Sequence, residues 1–394
     1  MYGMIMSAFV IVFSPYLALI PIAFIGLCMV LRSQFLIYNT WNIGLFFLFV
    51  WSFLVGLLNT SIVSATVSFA VLLYFLLSLY LQNHYTDEQK IEQLLKVFLL
   101  VSVISALIGV VEGYTSIQYQ PSWWKHLFGI YPLVAFREKY RISGTFGNPN
   151  VAAIWYVVMI FVCYYFFNRS NGYLKILYAL AGGLFGGVLL LTGSRGAVIG
   201  LLLGLIIYAY FMGHKKKMCI VMGILTLGTI LMFAFPEHFP RGHDFFESLR
   251  DRRSIWVNCL RLFKVKPVTG WGLLGIYYAD PRIYHYFRNF HAHNIWITMA
   301  ATVGIVGLGI FTYMQFDLFA KIKRLSTCRC QLVPLLAAVQ AAVLGQGFLD
   351  FTIMNPQVGI LFIGSSALVY SLAAQYEDIP VKRYFPLYNM QHKV

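Results

Sequence analysis

The chain has 394 residues, of which 60% are hydrophobic and 11% charged, and this excludes an ordinary soluble domain, where charged residues approach a quarter. Its formal charge of +15 comes from 29 Lys and Arg against 14 Asp and Glu, with no soluble basic domain to carry a nucleic-acid function. The six cysteines, Cys28, Cys163, Cys219, Cys259, Cys328 and Cys330, imply no disulfide framework, and Cys328-Arg329-Cys330 is too short a cluster for a zinc site.

A helix needs about 20 mainly apolar residues to cross a hydrocarbon core of roughly 30 Å. Apolar runs bounded by polar breaks lie near 2–31, 38–58, 61–82, 96–114, 150–167, 174–192, 196–212, 218–235, 293–316, 332–350 and 357–375. The expectation is an all-α polytopic membrane protein forming a single membrane domain over 1–394. It would have 11 transmembrane helices, or 12 if Ser14-Pro15 splits the first run. That first run lacks a basic start and a small-residue cleavage site, and is read as retained membrane structure. Gly182, Gly183, Gly186, Gly187, Gly200 and Gly204 are read as close-packing positions between helices. No internal repeat and no low-complexity segment is evident.

Lys and Arg of short loops collect on the cytoplasmic side, which places His214 to Lys217, Lys321 to Arg324 and Lys382-Arg383 inside. Counting spans puts 115–149, the turn Thr192 to Arg195 and the long loop 236–292 on the opposite, extracytoplasmic face. Loop 236–292 carries nine Lys/Arg and five Asp/Glu. Long loops escape the topological bias, so a basic external loop is a candidate for anion binding.

Four stretches can carry chemistry. His291-Ala292-His293-Asn294 stands where the chain re-enters the membrane, and an imidazole there can take a proton near neutral pH. An interfacial histidine with a capping or packing role has equal weight from position alone. Leu191 to Ala197 joins two spans with almost no loop and holds Arg195 at the outer end of a helix pair. Such a charge either snorkels to the headgroups or offers its planar fork to a diphosphate. Arg141 to Asn150 reads as a tight turn, with Asn148 or Asn150 capping the next helix and Arg141 open between structure and ligand. Arg250 to Trp256, followed by Pro267 to Gly272, offers Arg252 and Arg253 as anion ligands or as a solvated charge run; Trp256 and Trp271 fit an interfacial belt or a sugar-stacking role.

Several alternatives lack their parts. There is no nucleotide-binding G-x-x-x-x-G-K-[ST] loop and no D-x-D. His291 and His293, with His285 or His243, lack an acidic pair at ligand spacing, so no metal and no cofactor is expected. Paired glycosidase carboxylates are not evident, although Glu138, Glu247 and Asp280 lie on the external side.

These residues resemble the O-antigen ligase and polymerase superfamily over about 95–375. His293-Asn294, nine residues, then Gly304-Ile305-Val306-Gly307 matches its His-[Asn/Ser/Gln]-x9-Gly-x-x-Gly pattern, and Gly144 to Asn150, Ser194-Arg195-Gly196 and an Arg-x-x-x-Trp-like segment are similar to others. The last departs slightly, because Arg252 stands four residues before Trp256 and Arg253 three. The resemblance implies a C-type glycosyltransferase-like fold with an external site, metal-independent inversion, and an undecaprenyl-diphosphate-linked glycan as donor. The acceptor would be a glycan, lipid or protein, the partners would include membrane lipids and no nucleic acid, and the location would be a bacterial cell (inner) membrane.

On that reading His293 is the base, Arg195 with Arg252 or Arg253 and helped by Arg141 holds the diphosphate, and Asn294 and His291 support the imidazole. Asp350, near Gly345-Gln346-Gly347, is a further candidate as partner of an arginine. A polysaccharide polymerase is preferred over a ligase, and a lipid-linked sugar flippase and a scaffold subunit are the rivals from other classes. These spans carry few ionisable groups away from their ends, unlike a transporter path.

Overall fold

A computed structural model of the chain describes residues 2–31, 37–115, 123, 127–128, 141–238, 245–328 and 330–376. Glu138, His243 and Lys382-Arg383 lie outside them. No strand occurs among the described residues. The helices are α1 (Tyr2–Phe13), α2 (Leu19–Leu31), α3 (Thr40–Leu58), α4 (Ile62–His84), α5 (Glu88–Thr115), α6 (Pro149–Arg169) and α7 (Gly172–Leu191). They continue with α8 (Arg195–Phe211), α9 (Lys215–Ala234), α10 (Phe245–Val265), α11 (Ile295–Thr327), α12 (Val333–Gln346) and α13 (Pro356–Tyr376).

Seven of these, α3, α4, α5, α6, α7, α11 and α13, are long and apolar enough to cross a membrane, which makes the chain a polytopic membrane protein. The expected 11 or 12 crossings resolve differently elsewhere. α1, α2, α8 and α12 are apolar but shorter than a full crossing. Ser14-Pro15 splits the first run, because Pro15 has no N–H to continue the helix and the Ser14 hydroxyl accepts from Leu17 N at 3.0 Å. The run expected to reach residue 350 stops at Gln346, where the chain leaves the helix to build a turn.

α6 and α13 form the buried centre, with Val151 to Val158 of α6 all at or below 3% exposure. Leu174, Leu177 and Leu180 of α7 and Ile220 and Leu227 of α9 are exposed, and these apolar outer faces suit lipid. α8 packs into the interior through small residues: a Cβ on Gly200 would come within 2.6 Å of the Ala342 carbonyl, and one on Gly204 within 2.4 Å of the Phe161 ring. Gly183, Gly186 and Gly187, expected to do the same, have nothing within 4 Å of a built Cβ and face outward.

Loop 236–292 is largely structured. Its helix α10 is amphipathic and lays Ile255, Cys259 and Leu262 against Ala301 and Ile297 of α11. The next segment of the loop interrupts α11 at Gly304, which has φ 66° and ψ −169°. Around this break Trp271 N donates to Ala301 O (3.0 Å), Gly272 N to Thr302 O (2.7 Å), and Ile305 N to Pro267 O (2.8 Å). Trp51 Nε1 donates to the Val303 carbonyl at 2.8 Å. The loop and Trp51 therefore satisfy groups that the helix break frees, as a low-dielectric setting requires. A Cβ on Gly304 would stand 2.1 Å from Val268 O. Gly304 is thus explained by positive φ and close approach, and Gly307 by contact with the Val303 side chain, where a Cβ would stand 2.4 Å away.

Candidate active site

The turn Gln346 to Asp350 gathers the separate motifs at one end of the bundle. Asn294 caps α11, accepting from Ile297 N at 3.0 Å, while its Nδ2 donates to Phe348 O at 3.1 Å. Ile295 N donates to Gly347 O at 2.8 Å. Gly196, beside Arg195 at the start of α8, packs on Gln346 and Leu349. From α10, Arg252 Nε donates to Leu349 O at 3.1 Å and Nη1 to Ser248 Oγ at 2.9 Å. Gln346 Nε2 donates to Asn150 O at 2.9 Å and is itself steadied by the Thr352 hydroxyl at 2.8 Å.

His293 is the point of convergence. Its φ of 49° lies in the left-handed region, a strain of roughly 1–3 kcal/mol for a non-glycine residue. That conformation sends its N–H to His291 Nδ1 at 3.1 Å and its own Nδ1 to Asp350 Oδ1 at 3.0 Å. A carboxylate only accepts, so the proton of a neutral His293 sits on Nδ1 and leaves Nε2 with its lone pair. Asp350 is 6% exposed; its Oδ2 accepts from Asn150 Nδ2 at 2.6 Å and its Oδ1 from Phe351 N at 2.8 Å. Burial acts to raise the carboxyl, but the His293 hydrogen bond and charge and the Phe351 N–H together hold it below the ordinary carboxylate range. Burial, with the neighbouring His293 charge, pushes His291 down to about 3, so that ring is neutral and serves as an acceptor.

Arg141 extends this network from the other side. Its Nη2 donates to Asn150 Oδ1 at 2.7 Å and its Nε to Thr192 O at 2.7 Å. The structure thus links Arg141, Asn150, Asp350 and His293 in series and ties them to the α7–α8 turn that presents Arg195. Asp350 accepts from His293 and Asn150, and Arg141 reaches it through Asn150. The helix cap read as Asn148 or Asn150 is Asn148, whose side chain accepts from Asn150 N at 2.8 Å. Asn150 and Gln346 are bridging residues that the sequence did not single out as such, and no spacing along the chain signals them.

An open cavity of about 320 Å³ is lined by Arg252 and Ser248 of α10, Tyr286, Asn289 and His293. Arg253 does not join it: one residue further around α10, it lines a second groove with Arg250, Arg261 and His285. The ambiguity between the two arginines is therefore a geometric division, with Arg252 on the His293 side. His291, His293 and Asp350 bring one potential metal-ligand atom each within 4.8 Å of the others. The acidic partner that linear spacing did not offer is supplied by the fold.

Residues 180–312 match the family model described as O-Antigen ligase. A Pseudomonas aeruginosa protein named O-antigen ligase is 28% identical over 176 residues, which is 42% of this chain and 39% of that protein. The chain thus aligns with less than half the length of that relative. Both findings agree with the resemblance to the O-antigen ligase/polymerase superfamily read from the sequence motifs. The matched span contains Arg195, Arg252, His293 and the Gly304 break, whereas Arg141, Asn150 and Asp350 lie outside it and join it in space.

Proposed function

We propose that the chain is a glycosyltransferase of surface polysaccharide synthesis that works on the extracytoplasmic face of a bacterial cell membrane. Its donor is an undecaprenyl-diphosphate-linked glycan, which it polymerises or transfers without a metal and with inversion at the donor sugar. The observation that carries this reading is that His293, hydrogen-bonded to the buried Asp350, lines the same cavity as Arg252. His293 Nε2 takes the proton of the acceptor hydroxyl as that oxygen attacks the anomeric carbon from the face opposite the leaving diphosphate. Arg252 and Arg195 stabilise the charge that grows on the diphosphate as the glycosidic bond breaks. Arg141 acts through Asn150 and Asp350 to hold the imidazole, and Asn294 fixes the entry of α11. The long loop 236–292 carries part of this site through α10.

Transfer to a second lipid-linked repeat unit, as a polymerase, is favoured over ligation to a lipid or protein. The test is purified protein with a synthetic undecaprenyl-diphosphate oligosaccharide, with and without EDTA. A polymerase yields a ladder of products with EDTA present; a ligase consumes donor only when a separate acceptor is added. Loss of all turnover in EDTA would replace the metal-free reading with one in which His291, His293 and Asp350 hold an ion. Movement of the intact lipid across liposomes without cleavage would make the protein a flippase.

A further inference from the structure

α10 has two charged faces, and only one belongs to the reaction centre. On the other, Arg250, Arg253 and Arg261, with Ser254 and Asn258 between them, recur at the spacing of a single helical stripe. With His285 and Tyr286 they line a groove of about 330 Å³. None of the three arginines makes a hydrogen bond or ion pair among the described residues. The opposite wall is fastened to the helix: His285 N donates to Asn258 Oδ1 at 2.8 Å, and the Tyr286 hydroxyl donates to Asp251 Oδ1 at 2.7 Å. Tyr286 also lines the His293 cavity, so the two spaces meet at this ring.

We infer that this groove is a binding site for an acidic stretch of the glycan, whose sugar carboxylates or phosphates engage Arg250, Arg253 and Arg261 while the reacting end lies beside His293. Three planar guanidinium forks match carboxylate and phosphate oxygens. Ser254, Asn258 and Tyr286 give the polar and aromatic lining that a sugar chain accepts. Among the described lining residues Val257 is the one aliphatic side chain, which gives an acyl chain little wall and disfavours a lipid occupant. The inference rests on the proposed glycan-transfer reading and assigns its substrate a negative charge.

The test uses the full chain in phosphatidylcholine nanodiscs and equilibrium binding without turnover. The probes are tetragalacturonate, a glycerol-phosphate tetramer and the neutral maltotetraose. At least one acidic probe should bind at least about tenfold more tightly than maltotetraose and weaken as salt rises. Arg253→Gln/Arg261→Gln should lose about tenfold or more of that affinity, Arg253→Lys/Arg261→Lys should keep most of it, and His293→Ala should bind as wild type does. Equal affinity for the neutral probe, no binding of either acidic probe, or no effect of the Gln pair overturns the inference. So does abolition of acidic-probe binding in phosphatidylglycerol nanodiscs, which would make the groove a headgroup site. If the groove variants lose the probe but His293→Ala consumes donor normally, the groove stands and the catalytic reading fails.

Discussion

Asp350→Asn keeps the shape of the side chain while removing its charge, and the surrounding donors decide the consequence. The wild-type carboxylate accepts from three groups: His293 Nδ1, Asn150 Nδ2 and Phe351 N. An amide can place its oxygen toward His293 and Phe351, which sets its own NH2 against that of Asn150. Turned over, it sets the NH2 against Phe351 N–H and forces the His293 proton onto Nε2, the atom that must accept. Either arrangement leaves a buried donor facing a donor, a cost of about 1–3 kcal/mol in stability. Losing the correctly protonated base costs about 10²- to 10⁴-fold in rate, or ~2.7–5.5 kcal/mol of barrier. Donor consumption in a single-turnover assay should therefore fall at least about 100-fold, with a modestly lower melting midpoint. A folded Asp350→Asn protein within threefold of the wild-type rate would refute the argument that the carboxylate sets the imidazole.

The same geometry yields three further expected outcomes. Arg252→Ala should lower kcat by about 10²–10³, the scale of one preplaced charge stabiliser, while Arg253→Ala should act mainly on KM; equal losses of kcat would put both arginines at the diphosphate. Gly304→Ala should destabilise the protein by at least about 2 kcal/mol, because positive φ and the Val268 carbonyl both oppose a Cβ, whereas Gly309→Ala, with open space at that position, should leave the detergent melting midpoint unchanged or raise it. His291 is held near 3 when folded against an ordinary 6.5. Between those values the unfolded chain binds the extra proton, so stability is complete above about 6.5 and falls as pH drops toward 3. The lowered Asp350 makes its loss only below the ordinary carboxylate value, and so does not contribute at pH 5. On going from pH 7.5 to pH 5, wild type should lose more of its melting midpoint than His291→Gln does, and identical losses would count against a neutral buried His291.

Hydropathy suffices for the long helices because lipid imposes one requirement, a run of apolar residues, that is written locally. It places spans near those observed for α3, α4, α6, α7 and α13. The break at Ser14-Pro15 is legible too, since it separates α1 from α2, but hydropathy fails at the turn Gly347 to Asp350, which is apolar enough to read as helix. The glycines of α8 pack as expected, but Gly183, Gly186 and Gly187 of α7 face outward, since periodicity of small residues does not say which side a neighbour occupies. At the site, residue type and local position single out His293, Arg195, Arg141 and the Arg252/Arg253 pair. They do not separate Arg252 from Arg253, because one residue on a helix is a rotation of about 100° and the orientation of α10 is set by its packing on α11. Nor do they assign Asp350 to His293, a contact spanning 57 residues of sequence, or reveal that Asn150 bridges Asp350 and Arg141.

The most direct measurement is single-turnover consumption of a synthetic undecaprenyl-diphosphate oligosaccharide by wild type and by His293→Ala, with both proteins shown to be folded by their melting midpoints. If His293 is the base, wild type cleaves the donor and the variant slows by about 10²- to 10⁴-fold with its donor affinity intact. A folded His293→Ala protein that cleaves the donor at the wild-type rate would contradict the assignment of His293 as the base.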